Sequence, residues 1–100
     1  MSSSHTNAQA RIETEQASKY LQQLCKHFQH KLPASFDPQA GAISFPMGEA
    51  KLAADAEALT LSVAAGGDED LARLKDVVAR HLERFAFRET LQIDWRNAAA

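Results

Sequence analysis

The sequence predicts an α+β fold, a two-layer sandwich in which a mainly antiparallel sheet of five to six strands carries two helices on one face. Two long segments repeat apolar residues at the three-and-four spacing of a helix face, and the segments around them alternate apolar and polar residues. The connections between the alternating segments are short, which favours antiparallel neighbours. The predicted order is strand, helix, several hairpin strands, helix, strand.

The first strand and the first helix are predicted near the start of the chain. Ala10, Ile12 and Thr14 alternate with polar residues, and the Thr14 hydroxyl is placed to cap the helix that follows. We expect this helix to end at Leu32, because Pro33 disfavours helical backbone in the residue before it. Its apolar face consists of Ala17, Tyr20, Leu21, Leu24, Cys25, Phe28 and Leu32.

Four short strands are predicted between the helices. Their apolar residues are Ala34 and Phe36, Ile43 and Phe45, Ala50 to Ala54, and Leu59 to Ala65. Turn-forming residues separate these strands at Asp37 to Gly41, Pro46 to Gly48 and Asp55 to Ala58. The spacing predicts consecutive hairpins.

A second helix is predicted from Asp68 to about Phe85. Asp68 is a favourable N-cap, and Glu69 and Asp70 place negative charge at the positive end of the helix. The apolar face of this helix includes one histidine, His81, at a position where an apolar residue is expected. The other members of the face are Leu71, Leu74, Val77, Val78, Leu82 and Phe85.

A single domain is predicted over residues 1–100, with a structured part at about residues 10–96. Leu91, Ile93 and Trp95 alternate as its last strand. Residues 1–9 are rich in Ser, Thr, Asn and Gln and lack the basic and apolar regions of a signal peptide. We therefore expect residues 1–9 and 97–100 to be loose tails.

Composition and charge exclude several classes of function. Hydrophobic residues make up 45% and charged residues 24%, which is typical of a folded globular domain. The net charge of −2 provides no basic field for nucleic acid, and no apolar run is long enough for a membrane span. The lone Cys25 cannot form an internal disulfide, so we expect a reducing, cytoplasmic location. The oligomeric state stays open.

Neither a metal site nor a catalytic motif is predicted. Cys25, His27 and His30 have a spacing that suggests metal ligands, but at about 100° per residue Cys25 lies roughly 160° from His27 and 140° from His30. We expect Cys25 to pack in the core and His30 to face solvent. There is no Gly-x-Ser-x-Gly turn and no phosphate-binding loop, so no catalytic residue and no cofactor are predicted.

One cationic cluster is predicted between the helices. Tyr20, His27 and Lys31 share an edge of the first helix, and His81 projects from the second. The bland alternative is that His81 is a buried histidine satisfied by a backbone carbonyl or a tyrosine hydroxyl. If the two edges face each other, a partly buried pocket for an anionic group results, with candidate ligand-binding residues Tyr20, His27, Lys31, His81, Arg84 and Arg88.

Two sequence blocks carry a resemblance to a known family. The blocks Tyr20 to Lys31 and His81 to Glu89, with the intervening segments Gly41 to Pro46 and Leu59 to Leu61 and the closing Leu91 to Trp95, resemble the bacterial domain-of-unknown-function family numbered 2218. The resemblance implies a small, bacterial, intracellular protein without an established activity. Some members are associated with genes for siderophore-interacting flavoproteins, which implies a link to iron uptake.

Three functional hypotheses follow. The leading one is a non-catalytic binding or accessory domain, whose partner is an anionic small molecule or a siderophore-interacting flavoprotein. The second is metal or haem ligation by His27 and His81, because imidazoles from adjoining helices can share one ion. The third is a small enzyme in which His81 is the general base and Lys31 or Arg84 holds an anionic substrate.

Overall fold

The computed structural model describes residues 6–97 as a six-stranded antiparallel sheet with both helices on one face. The predicted α+β fold class is confirmed. The strands follow the spatial order β2-β3-β4-β5-β1-β6, so the first strand lies between two later ones. The elements are β1 (Thr6–Glu13), α1 (Ala17–Gln29), β2 (Ala34–Phe36), β3 (Ala40–Phe45), β4 (Gly48–Ala54), β5 (Ala58–Ala65), α2 (Asp68–Phe85) and β6 (Arg96–Asn97).

A single core fills the space between the sheet and the helices. Helix α1 lies over β2, β3 and β4, helix α2 lies over β5 and β1, and the two helices also contact each other. Both apolar faces are buried as the periodicity predicts, because each helix must cover one stripe. The largest fully buried side chains include Ile12, Leu21, Leu24, Ile43, Leu59, Leu61, Leu74 and Leu82. None of the helices in residues 6–97 combines the length and the apolar character needed to cross a bilayer.

Two aspartates fix the turns of the predicted hairpins. The Asp37 carboxylate accepts hydrogen bonds from the backbone N–H groups of Gln39 and Ala40 at 2.8 and 2.9 Å. Asp55 repeats this pattern with the N–H groups of Glu57 and Ala58, both at 2.8 Å. These two hydrogen bonds lower the pKa of Asp55, because they favour the ionised carboxylate. The predicted hairpins are confirmed at both turns, where β2 pairs with β3 and β4 pairs with β5.

The two ends of the sheet differ from the prediction. Strand β1 begins at Thr6, so the segment up to Gln9 belongs to the sheet and is not a loose tail. The sequence pattern did not indicate this part of the strand, because the core-facing Ala8 is small and the polar Gln9 lies on the exposed face. The segment from Leu91 to Trp95 alternates in burial as predicted but forms no strand, and pairing with β1 begins only at Arg96. Residues 1–5 and 98–100 lie outside the described residues.

Both predicted helix caps are wrong, and the first helix is shorter than predicted. Helix α1 ends at Gln29. The backbone N–H groups of Lys31 and Leu32 both donate to the Phe28 carbonyl oxygen, which closes a turn before Pro33. Gln16 occupies its N-cap without a side-chain hydrogen bond, and Gly67 occupies the N-cap of α2. Asp68 therefore lies in the first turn of α2. Its negative charge still interacts favourably with the positive end of the helix dipole.

Candidate functional site

The two helices meet at a pair of histidines. The ring centroids of His27 on α1 and His81 on α2 are 4.9 Å apart, and the ring planes are inclined at 43°. The Phe28 ring lies against both, with centroids 4.9 Å from His27 and 4.8 Å from His81. The inward orientation of His81 toward the first helix, predicted from the helix periodicity, is therefore confirmed.

One nitrogen of His81 is already used within its own helix. Its Nδ1 lies 2.7 Å from the backbone carbonyl oxygen of Val77, one turn earlier. Because a carbonyl can only accept, Nδ1 donates the hydrogen, and in the neutral ring Nε2 carries the lone pair. The carbonyl-satisfied histidine that the sequence left open as an alternative is thus present, together with the contact to His27.

Positive charge surrounds His27. His27 is exposed overall, but partial desolvation by its neighbours lowers its pKa, and the nearby charges of His81, Lys31, Arg84 and His30 lower it further. Lys31 and Arg84 are exposed, and neither forms an ion pair within 4.0 Å among residues 6–97. We call the group His27, Lys31, His81 and Arg84 the cationic edge.

The cationic edge opens onto the surface of α2. Arg80, His81, Glu83 and Arg84 line an open hollow of about 430 Å³. Arg80 is paired with Asp76 at 3.2 Å, whereas His81 and Arg84 form no ion pair within the part of the chain that the structure describes. The predicted pocket between the helices is corrected: the two imidazoles touch, and the accessible space lies beside His81.

Two of the six predicted ligand-binding residues point elsewhere. The Tyr20 hydroxyl donates a hydrogen bond to the Glu89 carboxylate and is not directed to the histidine pair. The Arg88 guanidinium lies over the ring of Phe87, 5.5 Å from its centroid. The helix periodicity placed Tyr20 on the correct edge, but the side chain reaches past it to the segment that follows α2.

The Glu89 carboxylate organises a second polar cluster that the sequence did not indicate. The Thr14 hydroxyl lies 3.1 and 3.2 Å from its two oxygens, and the Gln16 backbone N–H donates to the Thr14 oxygen at 3.1 Å. Thr14 and Tyr20 are almost fully buried. Since Glu89 is 75 and 69 residues away from them in the chain, no local pattern could have revealed the cluster.

Ionisation of Tyr20 tests the Glu89 cluster. Burial, the hydrogen bond to Glu89 and the Glu89 charge together raise the pKa of Tyr20 to about 12. Because the chain contains one tyrosine, phenolate absorbance near 295 nm in an alkaline titration reports this group alone. We expect Glu89→Gln to lower the midpoint toward the ordinary value of about 10. An unchanged midpoint in Glu89→Gln would contradict the interaction between Tyr20 and Glu89. The midpoint of the denaturant-unfolded protein provides the reference value for Tyr20.

The histidine pair lacks the further ligands of a protein-built metal site. No group of three or more His, Cys, Asp or Glu side chains gathers at ligand distance within the part of the chain that the structure describes. Structural zinc sites use four protein ligands and catalytic ones three. A haem between the rings would require them to separate, because they are in contact. Cys25 is fully buried in the apolar core, and burial raises the pKa of its thiol to about 11.

Comparison with known proteins identifies relatives in sequence and in structure. A solved structure described as "NMR structure of PA4090 from Pseudomonas aeruginosa" is 35% identical, with a TM-score of 0.75 over 91% of this chain and 95% of that chain. No curated protein matches the chain. The family described as "Uncharacterized protein conserved in bacteria (DUF2218)" matches residues 9–96. The chain therefore belongs to this bacterial family.

Proposed function

We propose that this protein is a non-catalytic binding domain that recognises an anionic group at the cationic edge. The observation that carries the proposal is the contact between His27 and His81, with Lys31 and Arg84 close enough to lower the pKa of His27. Four groups that carry or can gain positive charge are gathered, and among residues 6–97 none of them forms an ion pair, although Glu83 also lines the hollow. A bound anion would compensate this charge and stabilise the contact between α1 and α2.

The chemistry of the edge favours oxyanions. Lys31 and Arg84 are exposed and donate hydrogen bonds from flexible side chains, and His81 keeps Nε2 available beside the hollow. Phosphate and carboxylate groups accept such charge-assisted hydrogen bonds. The hollow is shallow and open to solvent, so it suits one end of a larger molecule better than a fully enclosed small ligand.

A more specific candidate comes from the family resemblance. An anionic ferric siderophore, or a siderophore-interacting flavoprotein with an acidic surface, would meet the cationic edge with complementary charge. Both partners require a cytoplasmic location. The support consists of the charge of the edge and the gene association of some family members.

Histidine titration by NMR tests the proposal with phosphate as the probe. An anion that binds more tightly to the protonated edge must raise the pKa of His27, by about one for each tenfold preference at saturation. We expect a clear upward shift of the His27 midpoint in phosphate compared with chloride at equal ionic strength. The affinity for phosphate should rise as the pH falls through that midpoint.

Matched charge variants separate a site from general surface attraction. Lys31→Gln and Arg84→Gln should remove most of the phosphate effect, whereas Lys26→Gln on α1 and Arg73→Gln on α2 should keep it. Equal effects of all four substitutions would show that the net charge alone is responsible. Identical His27 midpoints in phosphate and chloride would refute the proposal.

Calorimetric titration addresses the specific candidate. An anionic ferric catecholate siderophore should bind wild type, and a cationic ferric hydroxamate complex should not. His81→Ala should weaken the binding of the anionic complex. If neither complex nor a siderophore-reducing flavoprotein binds, the iron link fails, although the phosphate result would still stand.

Shared ligation of a metal ion by His27 and His81 is a second candidate. The contact between the rings, and the Val77 hydrogen bond that leaves Nε2 of His81 available, favour it. Because two imidazoles are fewer than the three protein ligands of catalytic zinc sites, the remaining positions would need water or an exogenous ligand. Co²⁺ titration of tag-free protein followed by visible absorption tests it, and an identical spectrum in His81→Asn would exclude this pair as ligands.

A further inference from the structure

The structure contains a second polar recess, on the face of the sheet that the helices leave uncovered. Gln9, Arg11, Thr60, Asp94 and Arg96 line a groove of about 460 Å³. All five side chains are polar, and the groove crosses β5, β1 and the start of β6. Because α1 and α2 pack on the opposite face, the sheet separates the groove from the cationic edge.

The strand register places the charged groups of this groove side by side. Arg11 pairs with Thr60 across β1 and β5, and Gln9 pairs with Arg96 across β1 and β6. Residues two apart in a strand share a face, so Arg11 and Arg96 are diagonal neighbours on the open face. Asp94 lies two residues before Arg96 and is exposed on the same side.

The charged groups of the groove differ in how far they are already paired. Arg11 contacts Glu13 at 3.5 Å and Glu57 at 4.0 Å, and both carboxylates are highly exposed. Neither Arg96 nor Asp94 forms an ion pair or a side-chain hydrogen bond with another described residue of the chain. The recess is therefore lined by Arg96 and Asp94, which are unpaired among the described residues, and by Arg11, whose ion pairs are with exposed carboxylates, beside the hydroxyl of Thr60 and the amide of Gln9.

From this arrangement we infer that the groove binds a small organic acid that carries a hydrogen-bond donor next to its carboxylate, such as an α-hydroxy or α-amino acid. The planar guanidinium groups of Arg11 and Arg96 match a carboxylate, which accepts paired hydrogen bonds from arginine. Asp94 is the acceptor for the adjacent hydroxyl or ammonium group. A simple anion satisfies the arginines but leaves Asp94 without a partner and facing added negative charge.

Three probes of graded chemistry test the inference on the full-length protein. Lactate carries the adjacent hydroxyl, alanine carries the adjacent ammonium, and acetate carries neither. In ¹⁵N-correlated NMR titrations, lactate or alanine should shift the Nε–H signals of Arg11 and Arg96 and the backbone amide of Thr60. Acetate should bind about tenfold more weakly, since it lacks the hydrogen bond to a charged acceptor. If lactate binds more tightly than alanine, the natural ligand carries a hydroxyl group at this position, and if alanine binds more tightly, it carries an ammonium group.

Substitutions in the groove distinguish this site from the cationic edge. Arg96→Gln and Arg11→Gln should each weaken lactate or alanine binding about tenfold, and Asp94→Ala should abolish the preference over acetate. Lys51→Gln, on the same face but on β4, should change nothing, and His81→Asn should leave groove binding intact. Absence of shifts at the groove for all three probes, or equal shifts in Arg96→Gln, would overturn the inference. The phosphate response of His27 should persist in Arg96→Gln, so either site can fail alone.

Discussion

Replacement of Gly48 with alanine is expected to lower the free energy of unfolding by about 3 kcal/mol. An added Cβ at this position would lie 2.2 Å from the Ala64 backbone oxygen and 2.9 Å from Leu74 Cδ2. The first contact is with backbone at one end of the β4–β5 ladder, where Gly48 pairs with Ala65, and moving Ala64 to relieve it would disturb the pairing of β5 with both β4 and β1. Urea unfolding followed by circular dichroism measures the change.

Gly66→Ala is the matched control for this prediction. A Cβ at Gly66 meets no atom of residues 6–97 within 4 Å, and the backbone there is not left-handed. Its effect should lie between zero and a gain of about 1 kcal/mol, because alanine restricts the unfolded chain. Equal losses in the two variants would show that glycine flexibility, and not the close approach of β5, explains the requirement at position 48.

The second large effect is expected at Phe28, which supports the histidine pair. Phe28 is 8% exposed and packs edge-on against Phe45, with centroids 5.0 Å apart, as well as against both histidines. We expect Phe28→Ala to destabilise the protein by about 3 to 5 kcal/mol, because the ring is lost and a cavity remains. Thermal unfolding should show a midpoint at least about 10 °C lower.

Phe87→Ala is the control for the aromatic deletion. Phe87 is 77% exposed, so its removal should change stability by no more than about 0.5 kcal/mol. Phe28→Leu provides a variant that keeps most of the buried volume and stays folded. In that variant, the His27 titration should move toward the ordinary value if the Phe28 ring helps to desolvate the pair. An unchanged titration would show that neighbours other than the Phe28 ring desolvate His27.

The fold could be predicted because its strongest signals are local. Helical periodicity located both helices to within a few residues. Asp37 and Asp55 indicated two turns, and in the structure their carboxylates accept hydrogen bonds from the backbone of those turns. The errors fall where local pattern says little about pairing. Thr6 to Gln9 form a strand because β5 is available 50 or more residues later, and Leu91 to Trp95 remain unpaired despite perfect alternation.

The candidate site shows the same division. A histidine on an apolar stripe was detectable, and the edge shared by His27 and Lys31 followed from the helix geometry. The direction in which Tyr20 extends was not detectable, since its partner Glu89 belongs to a segment of irregular backbone. The groove of Arg11 and Arg96 depends on the pairing of β1 with β6, which only the folded sheet defines.

The position of β1 between β5 and β6 also governs the order in which the molecule can assemble during synthesis. Both of its neighbours, β5 and β6, are translated after most of the chain has emerged, so its two hydrogen-bonding edges stay open until then. Unpaired strand edges invite association with other chains. The hairpin ladder from β2 to β5, together with α1, can instead form early from near neighbours, leaving closure of the sheet around the first strand as the slow step.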